Sequence, residues 1–146
     1  MEHQKDDNLH MLEAVVQNTE MGKNTLAQIL PMAGDARFKA ELIRQRSGYQ
    51  ELNQEAHAGL DACGGRAQGQ SALAKMNTRV GIGIRTLTDR STRNLAGMLS
   101  EGSSQGVMDC IKCQKDYPGA APGTRRLMQR LQAFEEDNRQ KLQQFL

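Results

Sequence analysis

Tryptophan is absent from these 146 residues, and only two tyrosines and three phenylalanines are present. Aromatic and β-branched side chains suit the pleated surface of a sheet, so their scarcity turns the reading away from β structure. No apolar run approaches the roughly 18 residues of a membrane-spanning helix. The opening Met1-Glu2-His3-Gln4-Lys5-Asp6-Asp7 is polar and acidic. It lacks the basic start and apolar stretch of a secretory signal, and the expected location is cytoplasmic. There the three cysteines are expected to stay reduced. A net charge of +2 is too small to imply a nucleic-acid partner.

What is present favours helices. Leucine is abundant and there are eight methionines, both good helix formers. Hydrophobic residues make up 38% and charged residues 25%, a globular balance rather than a disordered one. Residues 1–146 are long enough for one domain with its own core.

A first helix is predicted from about Asp6 to Leu30, with Asp6 or Asp7 as its cap and Leu9, Leu12, Val16, Leu26 and Leu30 on one stripe. Pro31 and Gly34 end it. A second helix starts after Asp35 and carries Phe38, Leu42, Gln45, Tyr49, Leu52, Ala56, Gly59 and Cys63 in heptad steps. Gly64-Gly65 stops it. Residues 66–70 read as a polar loop and Ser71 as the next cap. A third, shorter helix carries Leu73, Met76, Val80, Ile84 and Leu87. Asp89 to Thr92 reads as a break, with one long kinked helix as the rival. A fourth helix from Ser91 to Lys115 packs through Leu95, Met98, Leu99, Gly102, Gly106, Val107 and Ile111. After turns at Pro118-Gly119 and Pro122-Gly123, Thr124 caps a last helix with Leu127, Leu131, Phe134, Asn138, Leu142 and Phe145 at heptad spacing.

Four constellations could carry chemistry. Cys110 and Cys113 are three apart on one helix face, so both thiols could hold zinc or form a redox pair. A structural zinc site takes four ligands, and no second pair exists. Semi-buried small residues are the alternative reading. Glu20, Glu41, Glu101, Asp109 and Glu135 lie on several helices, where inward carboxylates could hold iron; Glu20 and Glu101 are the candidates taken with the two cysteines. Solvated charge is the alternative. Lys75, Arg79, Arg85, Arg90 and Arg93, with Arg125, Arg126 and Arg130, form basic stretches without interleaved aromatics, which read as a solvated face. Gln45 and Asn138 fall on apolar seams, where buried amides can pair or set register. No serine has a histidine–aspartate partner nearby.

Leu95 to Asp109, Lys115-Asp116-Tyr117-Pro118, Met76-Asn-Thr-Arg-Val-Gly-Ile-Gly-Ile and Phe134-Glu-Glu-Asp-Asn resemble a group of uncharacterised bacterial proteins. Those proteins look related to ferritin-like four-helix bundles. The resemblance implies a bundle and a bacterial chain. The di-iron residues do not carry over, because no Glu-x-x-His occurs here.

The expectation is therefore an all-α, antiparallel four-helix bundle of ferritin-like type, with an extra short helix where the third segment divides. A non-enzymatic structural or interaction module, as a homodimer or with a protein partner, is the leading function. No cofactor is expected on that reading. The alternative is a zinc or iron protein with its site inside the bundle.

Overall fold

The computed structural model describes residues 2–64 and 70–146, and side chains from Gln4 onward except those of 70–74, 76 and 77. Gly65 and residues 66–69 lie outside the described residues, and the packing of Leu73 and Met76 outside the described side chains; Gln70 and Ser71 are already helical, so the expected loop stops short of 70 and Ser71 is not the cap. Five helices account for nearly all the rest: α1 (Glu2–Ile29), α2 (Ala36–Ala62), α3 (Gln70–Arg85), α4 (Thr92–Asp116) and α5 (Pro122–Leu142). Short 3-10 turns follow α1 at Leu30–Met32 and α5 at Gln143–Phe145. Among the described residues there is no strand.

Local chemistry sets most of the boundaries. The Asp35 carboxylate accepts the Phe38 N–H at 2.8 Å and caps α2. Ser91 does the same for α4, accepting the Asn94 N–H at 3.2 Å. The break before α4 is therefore real. Gly64 follows α2 with a φ of 67°, the left-handed conformation that glycine adopts without a Cβ penalty.

Two further expected caps are corrected. α1 begins at Glu2, ahead of Asp6 and Asp7. Asp7 instead accepts the Gly119 N–H at 2.8 Å, and Asn8 accepts the Ala121 N–H at 3.1 Å. Both reach across to the turn before α5. Thr124 does not cap α5. Pro122 opens that helix, since a proline in the first turn has no N–H to leave unpaired, and Thr124 is drawn inside and buried.

Side-chain contacts locate the helix ends. Asn8 near the start of α1 donates to the Cys63 sulfur beyond the end of α2 (3.3 Å), and His10 stacks on Tyr117 beyond the end of α4 at 5.0 Å. At the other end, Arg37 at the start of α2 donates to Gln144 beyond α5 at 3.4 Å. Phe38 there meets Phe145 edge-on at 5.1 Å. α3 lies along α1, with Gly81 beside Gln28 and Ile84 in the same cluster as Ile29.

Apolar burial divides into two clusters. One gathers Met11, Leu12, Leu52, Leu60, Leu127 and Leu131. The other gathers Leu26, Ile29, Phe38, Leu42, Leu95 and Leu142. Between them in sequence, on four helices, lie the buried polar residues Thr19, Gln45, Ser103, Glu135 and Asn138, with Asn53 beside Leu52 at the edge of the first. Asn53 donates to the Thr19 hydroxyl at 3.0 Å, which itself donates to the Val15 carbonyl at 2.7 Å.

The inward face of α4 also differs from expectation. Ile111 is exposed, while Ser103, Cys110 and Cys113 are buried. α5 lies close against this face, and a Cβ on Gly106 would sit 2.5 Å from the Glu135 carboxylate. Small side chains fit such a close approach, so size overrides hydrophobicity in setting the rotation of α4.

Glycines give opposite expectations at two positions. A Cβ on Gly22 would lie 2.5–2.8 Å from three atoms of the Tyr49 ring. That ring is pinned edge-on against Phe134 at 4.9 Å and hydrogen-bonded to Glu135. Gly22→Ala should lose about 1–3 kcal/mol by overpacking, despite its better helix propensity. Gly102 has nothing within 4 Å of its would-be Cβ, and Gly102→Ala should gain about 1 kcal/mol. Urea unfolding of both variants reads the signs directly.

Candidate functional site

α1 packs far less against α4 than against α2, and the gap between α1 and α4 is a cleft. Small residues line it: Ala14 and Gly22 on α1, Gly102 and Gly106 on α4. The cavity holds about 400 Å³, within the range of small-molecule sites. Its apolar lining is mainly Met21, Leu26, Met98, Leu99, Met128 and Leu131. Gln17, Gln105 and Asp109 are its exposed polar members.

The deepest polar groups come from three helices. Tyr49 and Gln45 on α2, Ser103 on α4 and Glu135 on α5 all line the cavity. Glu135 is 2% exposed. The Tyr49 hydroxyl donates to its Oε1, and the Ser103 hydroxyl also bonds the carboxyl. Burial pushes the Glu135 carboxyl up to about 7; the Tyr49 and Ser103 hydrogen bonds oppose that rise, and the negative charge of Asp109 adds to it. Tyr49 is raised well above the usual phenol range, first by burial and then by the charge of Glu135, so it remains a donor.

A second polar chain supports this group. Arg44 donates to Glu41 at 2.6 Å and to the Asn138 Oδ1 at 3.0 Å, while Gln45 donates to Glu41 at 2.8 Å. Gln45 and Asn138 are thus both buried, and they are linked through Glu41 and Arg44. The Asn138 Nδ2 is buried without a hydrogen-bond partner among the described residues.

The expected site residues lie elsewhere or serve another role. Cys110 and Cys113 are buried in the first apolar cluster, although Cys110 also reaches the cleft. Burial is the first cause that pushes Cys110 up to about 12 and Cys113 up to about 11, so both are neutral thiols at neutral pH. Glu20 is half-buried and paired with Lys23 at 3.2 Å, and Glu101 is exposed on α4. No group of three or more His, Cys, Asp or Glu side chains able to hold a metal occurs among the described residues. Cys63 is exposed. Iodoacetamide should therefore label Cys63 promptly and reach Cys110 and Cys113 only as the bundle opens. Equal labelling of all three, read by mass spectrometry, would contradict this placement.

The basic stretch Lys75, Arg79, Arg85, Arg90 and Arg93 is exposed throughout. Arg130 is paired with Glu55 at 2.8 Å. No helix is long and apolar enough to cross a membrane among the described residues.

A ferritin-like di-iron centre draws a glutamate from each of two helices and a Glu-x-x-His from each of the other two. Around Glu135 the side chains are Tyr49, Gln45, Ser103 and Asn138. That donor set has one buried carboxylate and no histidine, and it does not fit such a centre.

The sequence places Glu135 among the carboxylates and Tyr49 on an apolar seam, and offers no triad partner for Ser103. The missed signal is spacing. Leu131, Glu135, Asn138 and Leu142 step by four, three and four, and all four are buried. Phe134, the seam residue assigned from hydrophobicity, is only half-buried.

Comparison with known proteins returns no matching family model, no matching curated protein and no matching solved structure.

Proposed function

We propose that this chain is a non-enzymatic binding protein whose cleft between α1 and α4 takes a small, mainly apolar ligand. The carrying observation is the 400 Å³ cavity that runs past methionine and leucine walls to the hydrogen-bonded Tyr49–Glu135 pair. Methionine walls adapt to irregular shapes, which suits a binding surface. The polar groups at depth already engage one another, which suits holding one polar end of a ligand rather than attacking it.

The scaffold in this reading is an antiparallel four-helix bundle of α1, α2, α4 and α5. Its support is the placement of helix ends by Asn8–Cys63, His10–Tyr117 and Arg37–Gln144. α3 then serves as the one long crossover between the two helix pairs, a connection that ferritin-like bundles also carry. Kinship with that group would therefore be one of topology, with the mid-bundle position converted from metal to ligand binding.

Gly102 tests the site. It is exposed, lines the cleft and has open space beside it. Gly102→Leu should fill the cleft without disturbing the core. The wild-type protein is expected to bind the neutral apolar dye Nile red at one site with a rise in emission, and Gly102→Leu to lose that signal while melting as a folded helical protein. Absent binding, or equal binding by the two proteins, would contradict the reading.

A further inference from the structure

We infer that the ligand of this cleft is a small amphiphilic cation, a hydrocarbon body carrying one basic nitrogen. This rests on the binding reading above and adds the ligand's charge.

The first observation is the sign of the charge inside the cleft. The whole chain is net basic, at +2. Yet the charged side chains lining the cavity, among the described residues, are Asp109 at its opening and Glu135 at depth, both acidic. α1 contributes only neutral side chains to the lining, α2 contributes Gln45 and Tyr49, and no lysine, arginine or histidine is present there. An anionic ligand would meet two carboxylates with no counter-charge, in a setting where water screens poorly.

The second observation is spare acceptor capacity. A carboxylate offers about four lone-pair sites. Tyr49 and Ser103 bond the Glu135 carboxyl from the protein side. Its Oε2 packs against α4 at Gly106, where an added Cβ would fall 2.5 Å from it, so no α4 side chain stands between the carboxyl and that helix. Two donors leave part of that capacity unused, and an ammonium group supplies further donors and the opposite charge together. Asp109 stands along the entry path and favours the approach of the same sign of ligand.

The third observation is shape. Met21, Met98 and Met128 with Leu26, Leu99 and Leu131 surround the volume around this acid. A compact hydrophilic cation would leave those walls unsatisfied, whereas a hydrocarbon chain buries against them.

The experiment compares n-octylamine, 1-octanol and octanoate by calorimetric titration at pH 7.5, each below its aggregation concentration. Octylamine should bind best. Octanol should be weaker by roughly ten- to a hundredfold, the size of one charge-assisted hydrogen bond, and octanoate weaker still. Glu135→Gln should bring octylamine down toward the level of octanol. Gly102→Leu should remove binding of all three. Octanol or octanoate binding as tightly as the amine, or an amine affinity indifferent to Glu135→Gln, would overturn the cationic ligand and leave the cleft reading standing. No binding of these three or of Nile red would overturn both. Helical melts of each variant establish that it is folded before its affinity is read.

Discussion

Replacing Phe38 with alanine should remove about 3–5 kcal/mol of folding stability. Phe38 is fully buried in the first turn of α2, among Leu26, Ile29, Leu42, Leu95 and Leu142 from three other segments and its own helix. Its N–H is held by Asp35 and its ring meets Phe145 edge-on at 5.1 Å. Truncation therefore loses both the transfer energy of the ring and the contacts around the cavity. A domain of this kind is stable by about 5–15 kcal/mol, so the loss is a large fraction of the total. The melting temperature, followed by far-ultraviolet circular dichroism, should fall by on the order of 10 °C. Phe145→Ala, at a half-buried position, should cost clearly less. A Phe38→Ala loss below about 1 kcal/mol would mean that this end of the bundle is not closed.

The second large effect is a pH-dependent one at Glu135. Its carboxyl rises from 4.5 to about 7 in the folded chain, chiefly through burial. In the unfolded chain it is already ionised at pH 6, so between about 5 and 7 the folded state holds more protons. Stability from this group is thus fully present below pH 4.5 and is lost as pH rises through 7. The full swing is about 3 kcal/mol at 1.36 kcal/mol per pH unit. Glu135→Gln keeps the shape and an acceptor for Tyr49 but cannot ionise. Above pH 8 the variant should be the more stable protein by about 2–3 kcal/mol, and the difference should vanish near pH 5. Taking the difference between two urea-unfolding series removes the contributions of all other titrating groups. Parallel pH curves would contradict the buried, uncompensated carboxyl.

Both effects come from places where sequence and structure relate differently. Helix existence was legible because its signals are local. Asp35, Ser91 and Gly64 act through backbone groups within three residues of themselves. The alternative of one kinked helix through 89–92 is removed by the Ser91 cap alone. Phe38, Leu42 and Leu95 were legible as core because large apolar side chains on a helical stripe have nowhere else to go.

What was not legible depends on how helices rotate and approach. Ile111 looked inward and is exposed, because the close passage of α5 admits serine, glycine and cysteine on that side of α4. Cys110 and Cys113 share a face, as their spacing requires, but that face points into an apolar cluster without further ligands. Glu135 was one of five candidate carboxylates, and only packing singled it out. Glu101 stands on α4 in water, Glu20 pairs with Lys23, and Glu41 pairs with Arg44. The Thr124 cap failed for a local reason, since Pro122 begins the helix earlier. The cleft itself has no sequence signature beyond its small residues.

The most direct measurement is a titration of octylamine into protein labelled with carbon-13 at its methionine methyls, followed by NMR. Met21, Met98 and Met128 line the cleft, Met11 is sealed in the first cluster, and Met108 is exposed on α4. The cleft-binding account expects the methyl signals of Met21, Met98 and Met128 to move together along one saturable curve while Met11 and Met108 stay in place. Movement confined to Met108, or shifts spread without saturation over all the methyls, would contradict it.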